Sequence, residues 1–227
     1  MAKKKQDFVK QDEQLQEVNE ALTGAGKWIE ENSDLLSWIV CGIAVVVMGV
    51  FAINQYVIKP KALEASNENA KAVVYFMAGD YDKALNGDDA ECIGFEEIAN
   101  SYRLYQQGKL AALYAGICYY EKEEYEEAAK YLKRFSAKDL NIDPAANQLL
   151  GDAYVALEEY SKAAKAFEAA AKSGNEMIAP MSLKKLGILY LHEGKNAKAL
   201  KAFKAIKADY PASAEAQDID KYIAIAE

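Results

Sequence analysis

Leu35 to Ile53 is an unbroken run of nineteen residues without a charge, LLSWIVCGIAVVVMGVFAI. As a helix rising about 1.5 Å per residue it just reaches across a hydrocarbon core of about 30 Å. Eleven of the nineteen are Leu, Ile, Val or Phe, each worth about −0.3 to −0.6 kcal/mol on the insertion scale. Their sum of about −3 to −7 kcal/mol outweighs the single Ser37 and the small residues. A buried core helix of this character needs apolar surroundings, and no other part of the chain supplies them. The run is therefore expected to be a single transmembrane helix within a segment bounded at 35–58.

The run begins well inside the chain, exceeds the 7–15 residues of a cleavable signal core and ends in Asn54-Gln55-Tyr56 without a small-residue cleavage pattern. Cys41 sits within it, so no lipid-attachment cysteine follows. This reads as an uncleaved signal anchor, with Ser33 or Asp34 capping its start and Lys59-Pro60 marking its end. Residues 1–34 form an N-terminal tail with Lys3, Lys4, Lys5, Lys10 and Lys27, against Lys59, Lys61 and Lys71 on the other flank. The lysine excess favours a cytoplasmic tail and a translocated C-terminal domain. Phe8, Leu15 and Leu22 recur every seven residues with Val18 beside them, which predicts a modest tail helix over 8–22 broken by Gly24-Ala25-Gly26.

Across 227 residues the net charge is −8, with 27 bases and 35 acids. That acidity argues against nucleic acid, which demands clustered Lys and Arg. Residues 59–227 are rich in Ala, Leu, Glu, Lys and Tyr, poor in Gly and Pro, and show no sustained period-2 alternation. The expectation is an all-α domain without a sheet.

Three stretches superpose on a glycine. They are Ala115-Gly116-Ile117-Cys118-Tyr119 with Ala128 and Leu132, Leu150-Gly151-Asp152-Ala153-Tyr154 with Ala163 and Phe167, and Leu186-Gly187-Ile188-Leu189-Tyr190 with Ala199, Phe203 and Pro211. Gly to Tyr is three residues in each copy, and Gly to Ala is twelve. The pattern resembles the tetratricopeptide repeat (TPR), with its L-G-x-x-Y, A-x-x-x-F and closing Pro. A mid-helix Gly costs about 0.8–1 kcal/mol relative to Ala, so three in phase need a cause. Close crossing of helix A by helix B supplies one, with the helix B Ala facing the Gly. Tyr119, Tyr154 and Tyr190, together with Leu132, Phe167 and Phe203, then fill the space between repeats.

Tyr75 to Ala84 mirrors Tyr119 to Ala128, which makes Ala72 the glycine equivalent of a degenerate first repeat over 62–108. That repeat carries an insert around Asn86-Gly87-Asp88-Asp89-Ala90 and a helix expected over 95–106. Repeats over 109–143, 144–179 and 180–211 follow. Ile219, Tyr222, Ile223 and Ala226 at helical spacing predict a capping helix over 212–227. The expected fold is a transmembrane helix followed by a short TPR-like α-solenoid with a C-terminal cap.

Reactive chemistry is sparse. The single His192 falls in an A–B turn, and no nucleophile elbow, zinc-binding, phosphate-cradling or dinucleotide motif occurs. Glu121-Lys122-Glu123-Glu124 and Glu158-Glu159 read as solvated turns, and Asp88-Asp89 with Glu91 as a polar loop with at most weak cation affinity. Cys118 reads as a small buried hydrophobe, and Cys92–Cys118 is the one intramolecular disulfide the soluble part offers. No enzyme, cofactor or metal is expected. The expected binding surface is the concave face, built from helix A residues two, five, nine and twelve. These are Leu110, Leu113, Ile117 and Tyr120, then Ala145, Gln148, Asp152 and Val155, then Met181, Lys184, Ile188 and Leu191. Apart from Lys184 it lacks the Lys, Arg and Asn set that grips a C-terminal carboxylate, and suits an extended or helical apolar segment. The alternative is that a preceding helix or the insert covers some of these positions.

The tail, the E-E-N-S-D-L-L-S-W lead into the apolar run and the divergent first repeat with its insert together resemble the YfgM-type bacterial proteins. That resemblance implies a single-pass inner-membrane protein with a cytoplasmic N-terminus and a periplasmic TPR domain. It further implies an accessory of the Sec translocon working with a periplasmic chaperone on emerging clients, with no catalytic residues to transfer. A TPR scaffold in another envelope machine (outer-membrane assembly, secretion or division) would use the same surfaces.

Overall fold

The computed structural model describes Trp28, residues 32–88 and residues 92–227. The expected tail helix lies outside these, as do Asp89, Ala90 and Glu91. The chain divides into two units, Met1–Lys59 and Pro60–Glu227.

In the first unit, α1 spans Ser33–Ile53. Its N-cap is Asn32, without a side-chain capping bond, so Ser33 and Asp34 already belong to the first turn rather than capping it. None of its residues is buried. It is long and apolar enough to cross a membrane. Helical geometry does not stop at Lys59-Pro60 as the sequence suggests. Asn54–Ile58 widens into a π turn, where the Lys59 amide donates to the Asn54 carbonyl five residues back, and α2 follows over Lys59–Met77. A helical proline removes one donor and crowds the carbonyl four residues earlier. A wider turn just upstream relieves that crowding.

In the second unit, helices pair as A and B. After α2, α3 is a short Tyr81–Asn86, followed by a two-stranded antiparallel ladder of β1 (Gly87–Asp88) and β2 (Cys92–Ile93). This minimal sheet departs from the sheet-free expectation, since two-residue strands are too short to show alternation. Next come α4 (Phe95–Ser101) and α5 (Gln106–Glu121). The helix expected over 95–106 thus ends at Ser101, and the chain turns before α5. A Cβ on Gly108 would collide with the backbone of Tyr102 and Arg103, so only glycine lets α5 start this close. The regular pairs are α5 with α6 (Tyr125–Leu132), α7 (Ile142–Ala156) with α8 (Tyr160–Ala171), and α9 (Ile178–His192) with α10 (Asn196–Asp209). A 3-10 turn over Ala214–Asp218 leads to the closing α11, Ile219–Ala226.

The glycines work as expected, against a different partner. A Cβ at Gly116 would fall 2.6 Å from Leu132 Cγ, at Gly151 2.6 Å from Phe167 Cδ1 and at Gly187 2.6 Å from Phe203 Cζ. In each copy the large side chain sixteen residues on presses against the glycine, rather than the Ala at twelve. Ala128, Ala163 and Ala199 are themselves fully buried. The repeats share one core from Leu113 to Ala226, while Ala72, Leu85, Phe95, Ile98 and Cys118 form a second around the divergent repeat. Tyr119 packs against both.

Each A–B turn closes alike. Gly79, Glu123, Glu158 and Gly194, all seven residues past the glycine phase, have φ of 76°, 61°, 58° and 69°. The next amide returns to the carbonyl of the phase tyrosine, from Asp80 to Tyr75 (3.0 Å), Glu124 to Tyr119 (2.9 Å), Glu159 to Tyr154 (2.8 Å) and Lys195 to Tyr190 (2.7 Å). This is the Schellman closure that satisfies end-of-helix carbonyls. The repetition in the first turn places Ala72, fully buried, in the glycine role. At the far end, Tyr222 stands thirty-five residues after Gly187, and its ring centroid lies 5.4 Å from that of Phe203. The expected cap residues Ile219, Tyr222, Ile223 and Ala226 all pack on the core.

Candidate partner-binding groove

The helices α5, α7 and α9 present the expected groove residues, and the structure divides these into three groups. Leu113 is buried in the core, and Ile117, Tyr120 and Leu191 are half-buried against it. The Tyr120 ring meets Tyr125 edge-on at 5.5 Å. Gln148, Asp152 and Lys184 bridge successive layers. Ser182, fully buried, donates its hydroxyl to Gln148 Oε1 at 3.1 Å. Lys185 Nζ reaches Asp152 Oδ1 at 2.8 Å and Oδ2 at 2.5 Å, and Lys184 Nζ reaches Asp218 Oδ1 at 2.6 Å. Val155, Ile188 and Met181 form the open group, 39%, 43% and 37% exposed, with Ala145 exposed beside them and Leu110 half-buried against the core.

These bridges set the local electrostatics. Burial, then the neighbouring Asp152 carboxylate, raise the Tyr120 hydroxyl above its ordinary pKa. The Lys184 hydrogen bond holds Asp218 below the usual carboxylate range. The polar middle of the face therefore ties α7 to α9, and α9 to the cap, through matched partners. What stays open is mostly apolar.

That opening is a cleft of about 310 Å³ lined by Asp152, Val155, Tyr160, Lys185, Ile188 and His192, with Phe167 and Leu189 behind them. It gathers three of the expected residues and adds others that the sequence reading left aside. His192 is the last residue of α9, with its ring edge-on to Tyr160 at a centroid distance of 5.0 Å. A signal for Tyr160 was present, because Tyr81, Tyr125 and Tyr160 all stand nine residues past the glycine phase.

Elsewhere, burial pushes the Cys118 thiol up to about 12, and Cys92 and Cys118 are free. Asp88 accepts from the Tyr75 hydroxyl at 3.2 Å and pairs with Lys83 at 3.4 Å, so its carboxylate is engaged within the fold.

Paired helices stacking at this period, each pair locked by glycine against a large helix B side chain, define a TPR-type α-solenoid, a class that presents concave protein-binding surfaces. Two family models described as tetratricopeptide repeat match residues 110–139 and 149–214. Among solved structures, a crystal structure of MamA protein is 19% identical, with a TM-score of 0.51 over 73% of this chain and 90% of that one. A second MamA crystal structure is 21% identical, with a TM-score of 0.40 over 58% of this chain and 86% of that one. At such identities the likeness is one of fold. The curated proteins contain no match.

Proposed function

We propose that this chain is a single-pass membrane protein whose TPR array grips an apolar segment of partner proteins. The observation that carries the reading is the unburied apolar α1 leading into a helical-repeat unit whose groove leaves Val155, Ile188 and Met181 exposed beside an open cleft. In the fuller form the N-terminus is cytoplasmic, the repeats are periplasmic, and the protein is an accessory of the Sec translocon that works beside a chaperone on emerging envelope proteins. The lysine-bearing tail supports that orientation, and the resemblance to YfgM-type proteins supports the setting. Binding through the cleft fits an extended or helical apolar segment, since Asp152 and Lys184 are already paired.

Photo-crosslinking from Val155 and Ile188 in intact membranes tests this. A ladder of many nascent proteins supports client handling. One stable band instead assigns the groove to a fixed subunit of another envelope machine. Absence of adducts at both positions rules out the groove.

A further inference from the structure

We infer that the edge of the repeat unit formed by its B-to-A turns rests on the surface of a lipid bilayer with anionic headgroups, an inference that rests on the membrane-anchored reading above. The turns run over residues 102–105, 133–141, 172–177 and 210–213. Contacts join them into one edge. Arg134 donates to Asn100 Oδ1 at 3.0 Å and to the Ala99 carbonyl, just before the first turn. Asn175 Nδ2 donates to the Leu140 carbonyl at 3.3 Å and to Asn141 Oδ1 at 2.8 Å, which joins the second turn to the third. Gly174 and Glu176 share a cleft with Asp209 to Ser213, which joins the third to the fourth.

Three large apolar side chains stand out of this edge into solvent, Leu104 at 90%, Leu140 at 74% and Met177 at 75% exposure. No described residue of the repeat unit covers them. The charges sort by edge. The three turns from 102 to 177 carry five bases, Arg103, Lys133, Arg134, Lys138 and Lys172, against Asp139 and Glu176. Both arginines of the chain are here. The opposite edge, made by the A–B turns at 78–80, 122–124, 157–159 and 193–195, carries Lys122 and Lys195 against six acids. A protein of net charge −8 thus has one basic, apolar-tipped edge and one acidic edge.

The chain's path selects the occupant. The repeat unit begins at Pro60, and only Asn54 to Lys59 separate it from the uncharged run. Asn69 of α2 donates to the Gln107 carbonyl in the first turn of α5 at 2.9 Å, so the start of α2 lies toward the basic edge. The edge at which the repeat unit's own chain enters is therefore the one with exposed apolar tips amid bases. That combination suits the headgroup boundary, where apolar side chains insert shallowly and Lys and Arg meet anionic lipid.

The test uses the full chain carrying Cys41→Ala, whose remaining cysteines are buried, in vesicles of anionic phospholipid doped with a headgroup-nitroxide lipid. A fluorophore is placed through Leu140→Cys or Met177→Cys, and for the opposite edge through Glu124→Cys or Lys195→Cys. Quenching at the first two sites is expected to exceed that at the second two by about twofold or more. Adding Lys133→Glu, Lys138→Glu and Lys172→Glu is expected to reduce it. Equal quenching on both edges, or a charge reversal without effect, overturns the inference. Retention of the chain after an alkaline wash separates such a failure from failure of the anchor. Release into the wash overturns both.

Discussion

At the residue scale, Leu132, Phe167 and Phe203 each press on a helix whose glycine leaves no side chain in the way. Gly151→Ala adds a carbon inside contact distance of the Phe167 ring, and overpacking of this kind costs about 1–3 kcal/mol. The better helix propensity of Ala returns at most about 1 kcal/mol. A net loss of stability is expected in chemical denaturation, and a neutral or stabilising result would refute the contact. The tyrosines three residues past the phase carry a second consequence. Tyr190 donates to Glu168 Oε1 at 2.8 Å, and burial, then that hydrogen bond, raise its hydroxyl to about 12 from an ordinary 10.0. The folded state holds the proton more tightly than the unfolded one. Its stabilisation is therefore complete below pH 10 and drains away as the pH climbs toward 12. Tyr190→Phe should flatten the fall in Tm over that interval; an unchanged slope would show that this hydroxyl is not responsible. The offset from each glycine to its tyrosine was visible in the chain because it never varies. The true partner of the glycine was harder to read, since Ala at twelve and Phe at sixteen lie one helical turn apart on the same face.

At the element scale, the four A–B turns share one backbone form but not one residue. Gly79 and Gly194 meet the positive φ freely, whereas Glu123 and Glu158 hold it with a side chain attached. A left-handed L-residue costs about 1–2 kcal/mol, offset partly by the greater freedom glycine has when unfolded. Glu158→Gly and Glu123→Gly should each raise stability by about 0.5–1 kcal/mol, and Gly194→Ala should lower it. Thermal melts of the three variants check the signs. The elements legible beforehand were the ones whose period repeats, namely the three full pairs and the cap. The divergent repeat was legible only in part. Its helix B is interrupted after Asn86 by a hairpin too short to pattern, and α4 ends at Ser101 because α5 must enter past Gly108. Pro60 likewise suggested a helix end, and a local change of hydrogen-bond pitch at Asn54–Ile58 absorbs it instead.

At the scale of the whole molecule, the proposed function separates two burdens, holding the membrane and holding a partner. Protease added to spheroplasts should digest the repeats and spare a fragment ending near Lys59, whereas protection of the C-terminal unit would reverse the orientation. Val155→Ser with Ile188→Ser should weaken partner crosslinking several-fold while shifting Tm little, because both side chains are more than a third exposed. A large drop in Tm with binding intact would make these residues core. The same change at Ile117, which packs on the core, should act mainly on stability. Spacing placed all twelve expected groove residues on the A helices. It gave no sign that Asp152 and Lys184 would be taken up by Lys185 and Asp218, because those pairs form between repeats and depend on the stacking angle.

The aromatic ring of Tyr222 stands where a regular repeat carries its glycine. A helix B laid across α11 in the register of the earlier pairs would strike that ring. Insertion between two existing pairs meets no such ring, because those pairs already end in a compatible surface. An additional pair spliced in at the boundary near Asp143 should fold and lengthen the concave face, while the same pair fused after Ala226 should remain unstructured or displace the terminus. Limited proteolysis of the two fusions distinguishes them.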